Sequence, residues 1–186
     1  MAFLTLSGPG RVEETVKGSR FLGLADPIAS AEDAAALLER VRGAHPDATH
    51  HCWAYRLGTE MRFSDDGEPG GTAGRPMLEV VLKRELDRAS VIVVRYFGGT
   101  MLGAGGLVRA YSGTAAKALD AAGTTRVEER VRFDAHVAYP YVDAVRRQLD
   151  ATRDARLEEE EYDSEGWRFL VSLPAVEAGG LRFALR

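Results

Sequence analysis

Three stretches of this 186-residue chain carry side chains able to do chemistry. The first is His50-His51-Cys52, followed by Asp65-Asp66-Gly67-Glu68. Imidazole, thiolate and carboxylate are the usual ligands of zinc or manganese. On a strand, however, His50 and Cys52 point to one side while His51 and Trp53 point to the other, so only part of the set converges. There is neither a second cysteine nor an HxxxH spacing, and no metal site is assigned. A nucleophilic Cys52 beside a histidine base would lack a third, orienting group. As a small buried hydrophobe Cys52 needs none.

The second stretch is Ser64-Asp65-Asp66-Gly67-Glu68-Pro69-Gly70-Gly71-Thr72-Ala73-Gly74, whose four glycines and one proline allow backbone shapes closed to ordinary residues. Asp65, Asp66 and Glu68 have two readings there. They can hold a cation or activate water, or they can bond the local backbone and prepare the following helix together with Thr72 or Gly74. The third stretch runs from Arg95-Tyr96-Phe97 through Gly98, Gly99, Gly103, Gly105 and Gly106 to Arg109 and Tyr111. Free backbone N–H groups at a helix start attract anions, and glycines let a phosphate approach closely. Arg95 and Arg109 offer guanidinium forks, and Tyr96 or Phe97 a stacking face. The segment fits neither the Walker lysine pattern nor the dinucleotide fingerprint. Arg95, set in an apolar strand, needs a partner. Asp65, Asp66 or Glu68 would supply one if both loops meet at the same end of the sheet. The two readings predict opposite outcomes for Arg95→Ala: loss of folding if the pair is structural, or loss of binding with a normal melting curve.

The elements that must position these residues alternate between strand and helix. Phe21–Ala25 reads as a strand ending at Pro27, and Ser30 as the N-cap of a helix carrying Ala34, Leu37, Leu38 and Val41. His51–Leu57 and Met61–Ser64 flank Gly58-Thr59-Glu60 as a hairpin. Pro76 favours a first helical turn, and Leu78, Val81, Leu82 and Leu86 predict a helix over 76–89. Val91–Phe97 is the strongest strand and belongs inside the sheet. A helix after Gly106 carries Leu107, Tyr111, Ala115 and Ala118 on one side. The tail predicts a strand over 131–139, a helix over 140–152, strands over 155–163 and 166–173, and a last helix from Ala175. That βαββα order is one strand short of a ferredoxin-like unit. Ala121-Ala122-Gly123-Thr124-Thr125 reads as a helix end and linker, which sets domains at 1–125 and 126–186.

Composition bounds the answer. With 45% hydrophobic and 28% charged residues the chain must fold, and disorder, collagen and coiled coil are excluded. No apolar run reaches the roughly 18 residues of a membrane helix, and no basic stretch precedes the apolar N-terminal patch, so a soluble cytoplasmic protein without a membrane partner is expected. The lone cysteine rules out an internal disulfide. Net charge of −4 argues against a wholly basic nucleic-acid coat, but charge is uneven: residues 26–68 are net −5 and residues 69–119 net +4. The run Glu158–Glu161 reads as a solvated face.

In these glycine-rich segments the chain resembles the YigZ/IMPACT family. The pieces that carry the resemblance are Ser19-Arg20-Phe21, Thr49-His50-His51-Cys52-Trp53-Ala54-Tyr55, Asp65-Asp66-Gly67-Glu68-Pro69 with Gly71-Thr72-Ala73-Gly74, and Val93–Gly99 with Leu102-Gly103 and Gly105–Tyr111. The resemblance implies an α+β protein of two domains. Its N-terminal domain would be ribosomal-protein-like, similar to elongation factor G domain IV. Its C-terminal domain would be a ferredoxin-like α/β sandwich similar to domain V, here without its last strand. Eukaryotic relatives act in translational control by binding a partner of a stress-responsive kinase and carry an extra N-terminal domain that these segments do not include, so that partner role is not carried over. For bacterial members the resemblance implies RNA or ribosome association.

Two functions are therefore carried forward. The leading one is a noncatalytic RNA- or ribosome-binding module, without a cofactor, in which Arg75, Arg95 and Arg109 meet phosphates and Tyr96 and Phe97 stack. The alternative is an enzyme with a phosphate at the Gly103–Gly106 helix start and a metal or proton transfer at Asp66 or Glu68. A protein partner on the C-terminal sheet is a further expectation, and the sequence does not set the oligomeric state.

Overall fold

The computed structural model describes residues 2–178. The chain is α+β and divides into two units, one of Phe3–Arg126 and the other of Ala2 with the described residues from Val127 on. The elements are β1 (Ala2–Leu6), β2 (Gly10–Val16), β3 (Ser19–Pro27), α1 (Ala31–Ala44), β4 (His50–Leu57), β5 (Glu60–Ser64), α2 (Gly74–Lys83), β6 (Ala89–Tyr96), α3 (Ala104–Ala122) and β7 (Thr124–Glu128). They continue with β8 (Arg130–Ala138), a 3-10 turn at Tyr139–Tyr141, α4 (Val142–Ala151), β9 (Arg156–Tyr162) and β10 (Gly166–Pro174). No helix among the described residues is long and apolar enough to cross a membrane.

The first unit is built on a five-stranded antiparallel sheet of order β2-β3-β6-β4-β5. β6 lies at its centre, as its valine-rich sequence predicts, and is buried from Ala89 to Arg95 because helices cover both faces. Strand alternation sends Val91 and Val93 to α2 and α3, where they join Phe21, Cys52, Ala54, Met77, Val81 and Tyr111. Ile92 and Val94 go to the other face, with Leu24 and with Leu37 and Val41 of α1. Each such buried aliphatic side chain stabilises the fold by about 1.5–3 kcal/mol. The same alternation aims Arg95 inward, on the α2 and α3 side.

Ser30 caps α1 as expected, in a reciprocal box with Asp33. The helix predicted over 76–89 is shorter, ending at Lys83, with Glu85 and Arg88 at φ 56° and 53°. Leu86 still reaches the core, but through the reversal that returns the chain to β6 rather than as a fourth helical turn. β1 and β2 form where no strand was predicted. In β2 the alternation of Val12 and Val16 with Glu13 and Thr15 is the mark of a strand covered on one face only.

In the second unit, β8 and β9 both pair antiparallel with β10, giving the order β8-β10-β9 with α4 joining β8 to β9. This is a split β-α-β arrangement, the core of the ferredoxin-like plan. Trp167, Phe169, Val171 and Leu173 of β10 meet Val142 and Leu149 of α4. The glutamate run lies on β9, exposed throughout, with Glu158 paired to Arg132 and Glu160 to Arg146. The last helix expected from Ala175 falls largely beyond the described residues.

Candidate functional site

The acidic loop and the glycine-rich segment meet at one end of the first sheet. Within the acidic loop every carboxylate turns toward a different partner. Asp65 accepts from the backbone N–H groups of Gly71 (2.8 Å), Ala73 (3.0 Å) and Gly74 (2.8 Å), so it ties the loop into a ring and caps α2 from outside the helix. Thr72, a candidate for that cap, instead donates its hydroxyl to the Pro69 carbonyl at 2.6 Å. Asp66, at φ 41°, accepts from His51 N–H at 2.7 Å and meets Arg42 at 3.4 Å. His50 Nδ1 lies 2.8 Å from the Asp66 carbonyl, which fixes that nitrogen as the donor.

Glu68 turns into the core. Its Oε1 accepts from Arg95 Nη1 at 2.6 Å and from the Tyr111 hydroxyl at 2.6 Å, with His50 Nε2 at 3.7 Å. The Glu68 and Arg95 side chains are 3% and 6% exposed. Ser19 Oγ accepts from Arg95 Nη2 at 3.3 Å and from Gly98 N–H at 3.1 Å. Phe21 and Phe97 lie 5.5 and 5.4 Å from the guanidinium carbon. The partner that Arg95 requires is thus Glu68, in a buried ion pair joining the loop, β6 and α3. Cys52, beside this pair, donates its thiol to the Asp65 carbonyl at 3.0 Å. Burial pushes that thiol up to about 12 against the opposing influence of Tyr111, which leaves Cys52 un-ionised and unreactive at neutral pH. Burial likewise raises the Tyr111 hydroxyl, and Cys52 and Glu68 reinforce the shift. Among the described residues no group of three or more His, Cys, Asp or Glu is arranged to hold a metal ion.

The glycine-rich segment is organised differently. Gly98 packs backbone against backbone on the turn between β2 and β3; a Cβ there would lie 1.9 Å from the Gly18 carbonyl oxygen. Gly103, at φ 73°, starts α3 and offers no side-chain cap, so the first-turn amides of Ala104, Gly105 and Gly106 face outward. Phe97 is half exposed, its N–H held by Thr49 Oγ1 at 3.0 Å, and Met101 is almost fully exposed. Lys17 and Arg109 line one shallow depression with Leu102 and Gly106. Neither cation has a carboxylate partner among the described residues, whereas Lys117 in the same depression pairs with Glu14.

Of the other residues singled out by sequence, Tyr96 lies on the α1 face, its hydroxyl 2.9 Å from His45 Nδ1 and its ring under Arg20 at 4.3 Å. Gly99 is exposed at φ 82°. Arg75 is exposed on α2 and pairs with Glu79 at 3.6 Å. Arg95 is the residue the structure moves farthest from its expected surface role, since strand alternation buries it. Sequence reasoning gave no role to Lys17, Arg20 or Ser19. Lys17-Gly18 carried a legible signal, a turn dipeptide directly before the Ser19-Arg20-Phe21 piece.

A family model described as the Impact N-terminal domain matches residues 17–119, which span both loops and the sheet between them. The chain belongs to the IMPACT family. A Thermus thermophilus IMPACT family member from the pol 5′ region is 48% identical over 166 residues, 89% of each chain. The IMPACT family member YigZ of Escherichia coli is 44% identical over 123 residues, covering 63% of this chain and 60% of YigZ. A crystal structure of a protein described as hypothetical superposes with a TM-score of 0.71 at 34% identity, over 99% of this chain and 91% of the other. The matched IMPACT segment begins at Lys17 and so includes both cations, Lys17 and Arg109, that line this depression without a carboxylate partner among the described residues.

Proposed function

We propose that this IMPACT family chain is a noncatalytic RNA- or ribosome-binding protein that serves in the regulation of translation. The observation that carries the reading is the contrast between satisfied and open groups at the two loops. The acidic loop uses its carboxylates internally. The surface beside it presents the uncapped start of α3, the unpaired cations Lys17 and Arg109, and the half-exposed ring of Phe97. Outward amides and free cations suit phosphate oxygens, and an exposed aromatic face suits an unpaired base. In this reading Phe97, Gly103, Gly105, Gly106 and Arg109 make contact, joined by Lys17 and Arg20. Arg95, Gly98 and Gly99 shape the surface, Tyr96 supports Arg20, and Arg75 contributes from α2. The reading also takes in the expected likeness of the two units to elongation factor G domains IV and V, and it places the protein in the cytoplasm.

The test is fluorescence-anisotropy titration of ribosomal RNA fragments at two salt concentrations. Wild type is compared with Lys17→Ala, Phe97→Ala and Arg109→Ala, each first checked for an unchanged melting curve. Binding should weaken with salt and with each substitution. Absence of binding at low salt overturns the proposal.

A further inference from the structure

The two edges of the first sheet are finished differently. At one edge β2 exposes Arg11, Glu13 and Thr15, and its acids are engaged, Glu13 by Arg20 and Glu14 by Lys117. Charged side chains along an edge discourage further pairing. At the other edge β5 exposes two large apolar side chains, Met61 at 47% and Phe63 at 45%. They stand opposite Arg56 and Ala54 in the β4–β5 register, on the side of the sheet that α2 covers, and α2 leaves both open to solvent. Among the described residues no strand pairs with the outer side of β5.

The hairpin fixes which backbone groups face outward. Leu57 and Glu60 flank the two-residue turn Gly58-Thr59 and are partners in the register, so they exchange both of their ladder bonds. Alternation then gives the bonds toward β4 to Glu60, Arg62 and Ser64, and directs the N–H and C=O of Met61 and Phe63 at the open edge. A further strand must add by bonding these two residues.

Charge selects among the registers that a second, antiparallel copy of β5 could take. Centred on Arg62, pairing sets Arg62 against Arg62, which repels. Centred on Phe63, it sets Arg62 against Ser64 and Met61 against Asp65 and forms no ion pair. Centred on Met61, it exchanges both outward bonds between the two Met61 residues. Glu60 of each copy then lies directly opposite Arg62 of the other, at the closer, non-hydrogen-bonded kind of position. Within one chain Arg62 Nε already lies 3.2 Å from Glu60 Oε1, so the four charges alternate in sign around the axis. On the other side of the sheet the two Met61 side chains meet, flanked by the two Phe63 rings.

We propose that β5 is a self-association edge, which joins two copies of this chain by antiparallel β5–β5 pairing about a twofold axis at Met61. Such an interface is isologous, so each ion pair occurs twice. It is also short, which makes the dimer weak and reversible. It uses none of the residues assigned to RNA and does not depend on that reading.

The test combines sedimentation equilibrium of the full chain, from micromolar to millimolar concentration, with oxidative cross-linking. Wild type should approach twice the monomer mass at the upper end. Glu60→Arg and Arg62→Glu, each first checked for an unchanged melting curve, should each weaken the dimer about tenfold or more, because like charges then face one another. An equimolar mixture of the two variants should dimerise again, since one copy then presents only cations and the other only carboxylates at the facing positions. Mixing would not repair damage inside a chain, such as loss of the bond from the Tyr55 hydroxyl to Glu60. The register is read without any change of charge. Met61→Cys places two thiols opposite one another with Cα atoms about 5.5 Å apart, inside the disulfide range. Phe63→Cys leaves them four residues apart along the strand, about 13 Å. On mild oxidation Met61→Cys should give a covalent dimer and Phe63→Cys should not; the native Cys52 is buried and takes no part. The proposal is overturned if wild type stays monomeric throughout, or if the mixture is no more dimeric than its components. It is equally overturned if Phe63→Cys cross-links as readily as Met61→Cys, because the axis then does not lie at Met61.

Discussion

The acidic loop at 64–74 and the glycine-rich segment at 97–106 look alike in sequence, each with several glycines among polar or charged residues, yet they are opposite kinds of structure. In the first, Asp65 binds three amides, Asp66 one amide and one arginine, and Glu68 a buried arginine and a tyrosine. In the second, α3 begins without a cap, and Arg109 and Lys17 line one depression whose carboxylate, Glu14, is taken by Lys117. Glycine content reports only that the backbone takes unusual shapes. What separates a scaffold from a surface is whether its polar groups already have partners.

The largest effect should come from breaking the scaffold. Arg95→Ala leaves Glu68 buried with one hydrogen bond in place of an ion pair, and is expected to cost about 3–5 kcal/mol. A urea melt would show this as a lower midpoint. Glu68→Gln keeps the bond from Tyr111 and strands the guanidinium, so it should cost a similar amount. Combined, Arg95→Ala with Glu68→Gln should lose less than the sum of the two single changes. Strict additivity would mean that the two residues are stabilised separately and that the contrast between the loops is wrongly drawn.

A smaller effect, about 2–3 kcal/mol from overpacking, is expected for Gly98→Ala, where the new methyl carbon meets the Gly18 carbonyl at 1.9 Å. Gly70→Ala, with nothing within 4 Å and no positive φ, should be nearly neutral in the same melt. If the two glycines respond alike, the close approach between β2–β3 and the glycine-rich segment is not what holds that surface. Next comes Asp65→Ala, which frees three amides at the start of α2. It should cost about 1–2 kcal/mol, the usual loss of a capping side chain, with faster hydrogen exchange at Gly71, Ala73 and Gly74.

Much of this was legible in the sequence, and the exceptions have physical causes. Val91–Phe97 had to be a central strand because so many consecutive apolar residues need cover on both faces. Ser30 followed three residues later by Asp33 marked a helix start. That Arg95 needs an acid nearby followed from the cost of burying a charge. Which of Asp65, Asp66 and Glu68 would supply it did not, because the choice depends on a loop whose course is set at Asp66 and Gly67, at φ 41° and 86°. β2 went unread because only Val12 and Val16 are apolar in it, and the end of α2 because its apolar spacing continues to Leu86 through a turn that keeps the residue inside. Lys17 could not be linked to Arg109 at all, since they come to line one depression only after β2 and β3 have folded back beneath α3.

The smallest effect on stability should be the most informative about function. Lys17→Ala and Arg109→Ala remove exposed, unpaired cations, so each should stay within about 0.5 kcal/mol of wild type in a melt. If the surface meets phosphates, the salt dependence of RNA affinity should flatten by about one unit of logarithmic slope for each cation removed. Phe97→Ala should weaken binding with little change in that slope, because stacking releases no counterions. A flatter slope for the cations and an unchanged one for Phe97 would divide the surface into charge and stacking parts. If all three variants shift affinity alike with the slope untouched, the open surface is apolar in its action, and a protein partner replaces RNA as the ligand it fits.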